Sequence, residues 1–205
     1  MSDILCISNR RLCKGDFLTR IEETAACHPR GIVLREKDLS GQEYRVLAAA
    51  ALEVCGFYGV SCILHGFAEE ALCLGAREIH LPLDALRSMD KGQKSCFTSI
   101  GASCHSPKEA KAAQELGCTY VIAGHVFETD CKKGMPGRGI DFLRSMCVSV
   151  RIPVYAIGGI NRENIEPVRR AGAAGVCVMS GVMQCGDVLK YMTELERRGA
   201  NEFFA

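Results

Sequence analysis

The sequence has almost no net charge, no long apolar run, no CxxC pair and no stretch that reads as a linker. A formal charge of +1 over 205 residues argues against a broad nucleic-acid surface or a membrane-adhering patch. No 18-residue apolar run occurs, so no transmembrane helix is expected. The opening MSDILCISNRR places its apolar run before its basic residues, the reverse of a secretory signal. Cysteine is abundant, at 13 residues, yet the spacing that marks zinc clusters or a redox motif is missing. Most cysteines lie in apolar stretches, such as Cys62 in VSCIL, Cys118 before TYVIA and Cys177 in GVCVM. They read as small core residues of a reducing compartment, so a cytoplasmic protein is expected. With 48% apolar and 24% charged residues, the whole chain, 1–205, reads as one globular domain with a substantial core.

Short apolar runs alternate with longer helical stretches. The runs are DILCIS (3–8), GIVLRE (31–36), VSCIL (60–64), REIHL (77–81), TSIGASC (98–104), TYVIA (119–123), PVYAIG (153–158) and GVCVM (175–179). They are mostly apolar without clean alternation, as expected of parallel strands buried on both faces. Between them lie segments such as GQEYRVLAAAALEVCG, rich in helix formers and closed by glycine. Ser106, Pro107 and Glu109 supply an N-cap, a first-turn proline and a capping-box acid for another helix. Leu74-Gly75-Ala76, Leu116-Gly117-Cys118 and Ala171-Gly172-Ala173 each precede a strand, where glycine suits the left-handed residue that closes a helix. The pattern predicts an α/β fold, a single-domain (β/α)8 TIM barrel. A doubly wound open sheet competes with it, because alternation alone does not establish closure.

In a barrel, chemistry gathers in the loops after the strands. Those positions here carry Arg35, Glu36 and Lys37 after the second run, His65 and Gly66 after the third, and Ser103 and His105 at the fifth. The sixth run leads into GHVFETDCKKGMPGRG (124–139), too polar and too broken to be core, with His125 and Lys132. Taken singly, each charged residue reads as a solvated loop. Together they point to an anionic ligand. After the seventh and eighth runs come Gly158 and Gly159 in AIGGI, then Met179, Ser180 and Gly181 in VMSGVM. Glycines and a short helical turn in that order match a phosphate grip made of backbone N–H groups, with Asp187 capping the long final helix. The plainer alternative is that the paired glycines only make tight turns. His125 suits proton transfer, since histidine as a residue type titrates near neutrality; its alternative is a structural histidine bonded to backbone.

At GHVFETDCKKGMPGRG, AIGGI and VMSG the chain resembles the thiamine phosphate synthase and TenI superfamily, from VLREKDLS through to VMSGVM. The resemblance implies a TIM barrel of that type and one of two activities. The synthases join a pyrimidine diphosphate to a thiazole phosphate with a magnesium ion. The TenI branch isomerises a carboxythiazole phosphate tautomer to its aromatic form without a metal. Synthases carry Gln where this chain has Val33, Asn-Asp where it has His65-Gly66, and HxGQxD where it reads HLPLDA. The expected magnesium carboxylates are thus replaced by Gly66 and Ala85, with Asp84 displaced by one residue. Magnesium demands strict oxygen geometry, so no metal ligand and no cofactor is expected; magnesium returns only with the synthase alternative.

The Gly-His opening of the 124–139 loop is similar to the tautomerases, which implies a thiazole tautomerase with His125 as general acid/base. The resemblance and the strand-end reading together make Arg35, Lys37, His65, Ser103, Lys132, Gly158, Gly159, Met179, Ser180 and Gly181 the expected substrate-binding set. The expected partner is a small phosphorylated thiazole, with no nucleic acid and no membrane; assembly as a homo-oligomer stays open. The alternatives are a thiamine phosphate synthase and a non-catalytic phosphate-ligand binder or regulator.

Overall fold

In a computed structural model that describes residues 2–197, eight parallel strands close into a barrel in chain order. The strands are β1 (Ile4–Ile7), β2 (Gly31–Leu34), β3 (Cys62–His65), β4 (Glu78–Pro82), β5 (Ser99–Cys104), β6 (Tyr120–Gly124), β7 (Val154–Ile157) and β8 (Gly175–Val178). Closure is made by β1 against β8, with Ile4, Leu5 and Cys6 opposite Val176, Cys177 and Val178. The open-sheet alternative is thereby removed.

The helices are α1 (Phe17–Ala25), α2 (Gly41–Phe57), α3 (Ala68–Cys73), α4 (Leu83–Ser88), α5 (Lys91–Ser95), α6 (Pro107–Glu115), α7 (Gly139–Ser149), α8 (Ile165–Arg170), α9 (Ser180–Gln184) and α10 (Val188–Arg197). Capping chemistry starts several of them. Ser40 and Glu43 form a reciprocal capping box on α2, and Asp187 accepts from the Lys190 amide at α10. On α6, Ser106 caps as expected, but the Glu109 carboxylate accepts from the His105 amide rather than closing the box on Ser106. The three junction glycines, Gly75, Gly117 and Gly172, all have positive φ, so each ends its helix where a Cβ would be strained.

Strand residues divide by parity, since successive side chains point to opposite faces. Ile4, Cys6, Ile32, Leu34, Leu64 and Ile79 face the helices in the outer core. Leu5, Ile7, Val33, Ile63, Tyr120, Ile122, Tyr155 and Cys177 fill the barrel interior. Both faces are therefore dry, which is why the strands show no amphipathic alternation. Cys62, Cys118 and Cys177 are buried, and all thirteen cysteines are free. No described helix is long and apolar enough to cross a membrane.

Candidate active site

The loop 124–139 folds over the C-terminal end of β6. Val126 and Phe127 donate their amides to Ile157 and Gly158, while the Arg138 and Gly139 amides return to the carbonyls of His125 and Val126. Between these anchors the segment from Glu128 to Pro136 forms one wall of a cleft of about 770 Å³. The opposite walls are Ile157–Asn161, Cys177–Gly181 and Tyr191 of α10. Lys132, Gly158, Gly159, Met179, Ser180 and Gly181 thus meet in one space. The first turn of α9 has no side-chain cap, so the amides after Met179 have no side-chain acceptor. The glycine pair also answers a packing demand. A Cβ at Gly158 would overlap the His125 side chain, and one at Gly159 would overlap the Glu128 carbonyl. Close approach is real here, and part of it is to the neighbouring loop.

Arg35, Lys37, His65, Ser103 and His125 do not line that cleft. Arg35 stands two residues beyond inward-facing Val33, and Ser103 two beyond inward Gly101, so both face the mouth. Lys37 is brought electrostatically into range of both groups. Its ammonium is pushed down by partial desolvation, then by Arg35 and Lys132. None of these three cations is ion-paired with a carboxylate among the described residues. The acid beside them is already committed. Glu36 is 2% exposed and accepts from the Ser8 hydroxyl at 2.6 Å and from the Arg10 amide.

His65 ends β3 inside the mouth, and its Nδ1 is the one buried side-chain nitrogen or oxygen without a partner among the described residues. Burial, then Lys37 and Arg35, push its imidazole down to about 4. It stacks on His80, with ring centroids 5.5 Å apart. His125 is buried, and its Nε2 lies 3.3 Å and 3.1 Å from the Met135 and Pro136 carbonyls. Carbonyls only accept, so Nε2 carries a proton; Nδ1 has no hydrogen bond among the described residues. His105 is exposed and bonds through Nδ1 to the Gly124 carbonyl, so it supports the loop.

Three functional candidates escaped the sequence reading. His80 was quoted only as the opening of HLPLDA and Tyr120 sits in a strand read as core, while Tyr191 of α10 lines the cleft. Their signals were glycines. Gly101 inside a strand leaves room for His80 and Tyr120, and Gly181 leaves room for the Tyr191 hydroxyl.

A closed (β/α)8 barrel with a cleft at the carboxyl ends of its strands, and with cations beside it that have no carboxylate partner among the described residues, is the class this architecture defines. The chain belongs to the TMP-TENI family, described as thiamine monophosphate synthase, whose model matches residues 4–182. It is 31% identical over 193 residues to a thiamine-phosphate synthase of Fusobacterium nucleatum, covering 91% of this chain and 92% of that one. It is 33% identical over 199 residues to the Clostridium botulinum (strain Kyoto) thiamine-phosphate synthase, covering 91% and 92%. A solved thiamine phosphate pyrophosphorylase from Pyrococcus furiosus superposes with a TM-score of 0.82 at 29% identity, covering 96% and 94%.

The magnesium ion that the synthase resemblance implies can be tested against the donors present. The Asp84 side chain is 93% exposed and held by Arg87 at 2.8 Å, and Glu36 is consumed as above. No described group of three or more His, Cys, Asp or Glu residues could hold a metal ion. The two acids nearest the synthase's metal positions, Asp84 and Glu36, therefore do not offer a magnesium ion free carboxylates at the mouth, and the acids that line the cleft, Glu128 and Asp130, stand on the loop after β6.

Proposed function

We propose that the protein is a metal-independent thiazole tautomerase acting on a carboxythiazole phosphate. The observation that carries this reading is the mouth's charge balance. Arg35, Lys37 and Lys132 lie within electrostatic range of one another with no carboxylate partner among the described residues, while the positions that the synthase resemblance gives to metal-binding acids hold Gly66 and Ala85. Such a mouth suits a ligand with two anionic ends. The phosphate lies in the cleft against the backbone of Gly159, Ser180 and Gly181, held as a handle whose binding energy orients the ring. The carboxylate lies toward the cations, which favour electron build-up on the adjacent carbon.

His125 then moves the proton. Its Nε2–H is tethered to the loop carbonyls, which leaves Nδ1 as the base. Nδ1 takes the proton from the ring carbon that bears the carboxylate and returns it to the exocyclic carbon, leaving an aromatic ring. His65, kept neutral by burial, shapes the pocket or binds the carboxylate.

The names of these relatives favour a second reading, a thiamine phosphate synthase. Purified protein incubated with the thiazole tautomer and with the synthase substrate pair, each with and without EDTA, separates the readings. Isomerisation indifferent to EDTA is expected. Magnesium-dependent coupling would select the synthase, and binding without turnover a phosphate-ligand binder.

A further inference from the structure

The mechanism above leaves unused a buried polar chain that runs up the inside of the barrel. His80 is 1% exposed and Tyr120 6%. The Tyr120 hydroxyl lies 3.2 Å from His80 Nδ1, and His80 Nε2 lies 2.9 Å from Ser103 Oγ. Gly101 sits between them, and a Cβ there would overlap both the Tyr120 hydroxyl and His80 Nδ1. The strand gives up a side chain so that the two can touch. Ser103 is only half-buried, and its hydroxyl has no acceptor other than His80 among the described residues.

The direction of this chain follows from counting protons. Burial, then His65, Lys37 and Arg35, keep the His80 imidazole neutral, so it has one N–H and one lone pair. The Tyr120 hydroxyl makes no other hydrogen bond among the described residues. Leaving a buried O–H without an acceptor is costly, whereas an unused oxygen lone pair is cheap. Tyr120 therefore donates to Nδ1, the imidazole proton sits on Nε2, and Nε2–H donates to Ser103 Oγ. The Ser103 proton is left over, at the mouth.

We infer that Tyr120 and His80 are positioning residues that fix the Ser103 hydroxyl as a hydrogen-bond donor toward the mouth, selecting a ligand that presents a carboxylate oxygen there. The arrangement favours an acceptor over an N–H or O–H, because a ligand donor would meet another donor. Arg35 and Lys37, whose charges reach His80, supply the positive field such a carboxylate needs. Only the identity of the ligand rests on the tautomerase reading; the hydrogen-bond direction does not.

Nitrogen-15 NMR of protein labelled in its histidine rings reads the direction without any activity. The His80 ring, assigned by its loss in His80→Gln, is expected as the Nε2–H tautomer at neutral pH. An Nδ1–H tautomer overturns the relay. The ligand is tested by calorimetry with two probes, the aromatic carboxythiazole phosphate and its decarboxylated counterpart. Ser103→Ala should weaken the carboxylated probe by about ten- to a hundred-fold and the other by less than about two-fold. Inorganic phosphate affinity should be unchanged. His80→Met, which lacks the donor, should reproduce part of the loss, and His80→Gln, whose amide can donate to Ser103, should restore most of it. Equal losses with both probes would mean that Ser103 is structural and would sink the proposal. A tautomer result as expected with no turnover of the thiazole tautomer would instead fault the tautomerase reading alone.

Discussion

The proposed mechanism gives His125 two jobs, and two substitutions can part them. Its Nε2 proton is shared between the Met135 and Pro136 carbonyls, tethering the loop that walls the cleft, while Nδ1 is the base of the proposed proton transfer. In His125→Gln the side-chain amide nitrogen reaches about as far as Nε2, so the tether survives and the base is lost. In His125→Asn the shorter amide cannot reach, so both are lost. A placed general acid/base is worth about 10²–10⁴-fold, so kcat of both variants should fall by at least that range. A net intramolecular hydrogen bond is worth about 0.5–1.5 kcal/mol, or roughly two- to ten-fold in an equilibrium. The backbone anchors of Val126, Phe127, Arg138 and Gly139 hold the loop base in either case. Phosphate affinity should therefore be unchanged in the Gln variant and fall by roughly two- to ten-fold in the Asn variant. Turnover of the thiazole tautomer in EDTA and calorimetry with inorganic phosphate measure the two effects separately. Near-full kcat in His125→Gln would refute the base assignment and leave only the tether.

Other outcomes follow from the same geometry. Tyr191 lines the cleft with its hydroxyl over Gly181, and burial raises the phenol so that it stays a donor. Tyr191→Phe should weaken inorganic phosphate by roughly ten-fold or more if that donor meets the anion, and unchanged calorimetry would assign the ring to packing. Gly101→Ala should destabilise by about 1–3 kcal/mol through overpacking against Tyr120 and His80, seen as a lower urea midpoint with an unchanged slope. The His65 imidazole falls from 6.5 unfolded to about 4 folded, so the unfolded chain binds more protons between those values. Stability should be complete above pH 6.5 and decline toward pH 4, by roughly 3 kcal/mol at most from this residue. Urea midpoints against pH should show that slope, and His65→Phe should flatten it; an unchanged slope would mean that His65 takes up its proton while folded.

The sequence by itself determined the succession of elements. Apolar runs of strand length, helix caps such as Ser106 and Asp187, and left-handed glycines at 75, 117 and 172 are local physics, readable without knowing what lies nearby. The cleft residues Lys132, Gly158, Gly159, Met179, Ser180 and Gly181 were legible for a related reason: a barrel sends every strand end to one face. Closure was predicted, but with an open sheet still competing, because the pairing of β1 with β8 joins residues some 170 positions apart and leaves no local mark. The state of His125 was likewise left open. In sequence His125 reads either as a proton-transfer group or as a histidine bonded to backbone, and only the folded loop brings two carbonyls to its Nε2. His80, Tyr120 and Tyr191 were not singled out, because periodicity records burial and not what a buried polar atom meets. That partner is set by contacts across the barrel, such as His80 with Tyr120, 40 residues apart in sequence and 3.2 Å apart in space.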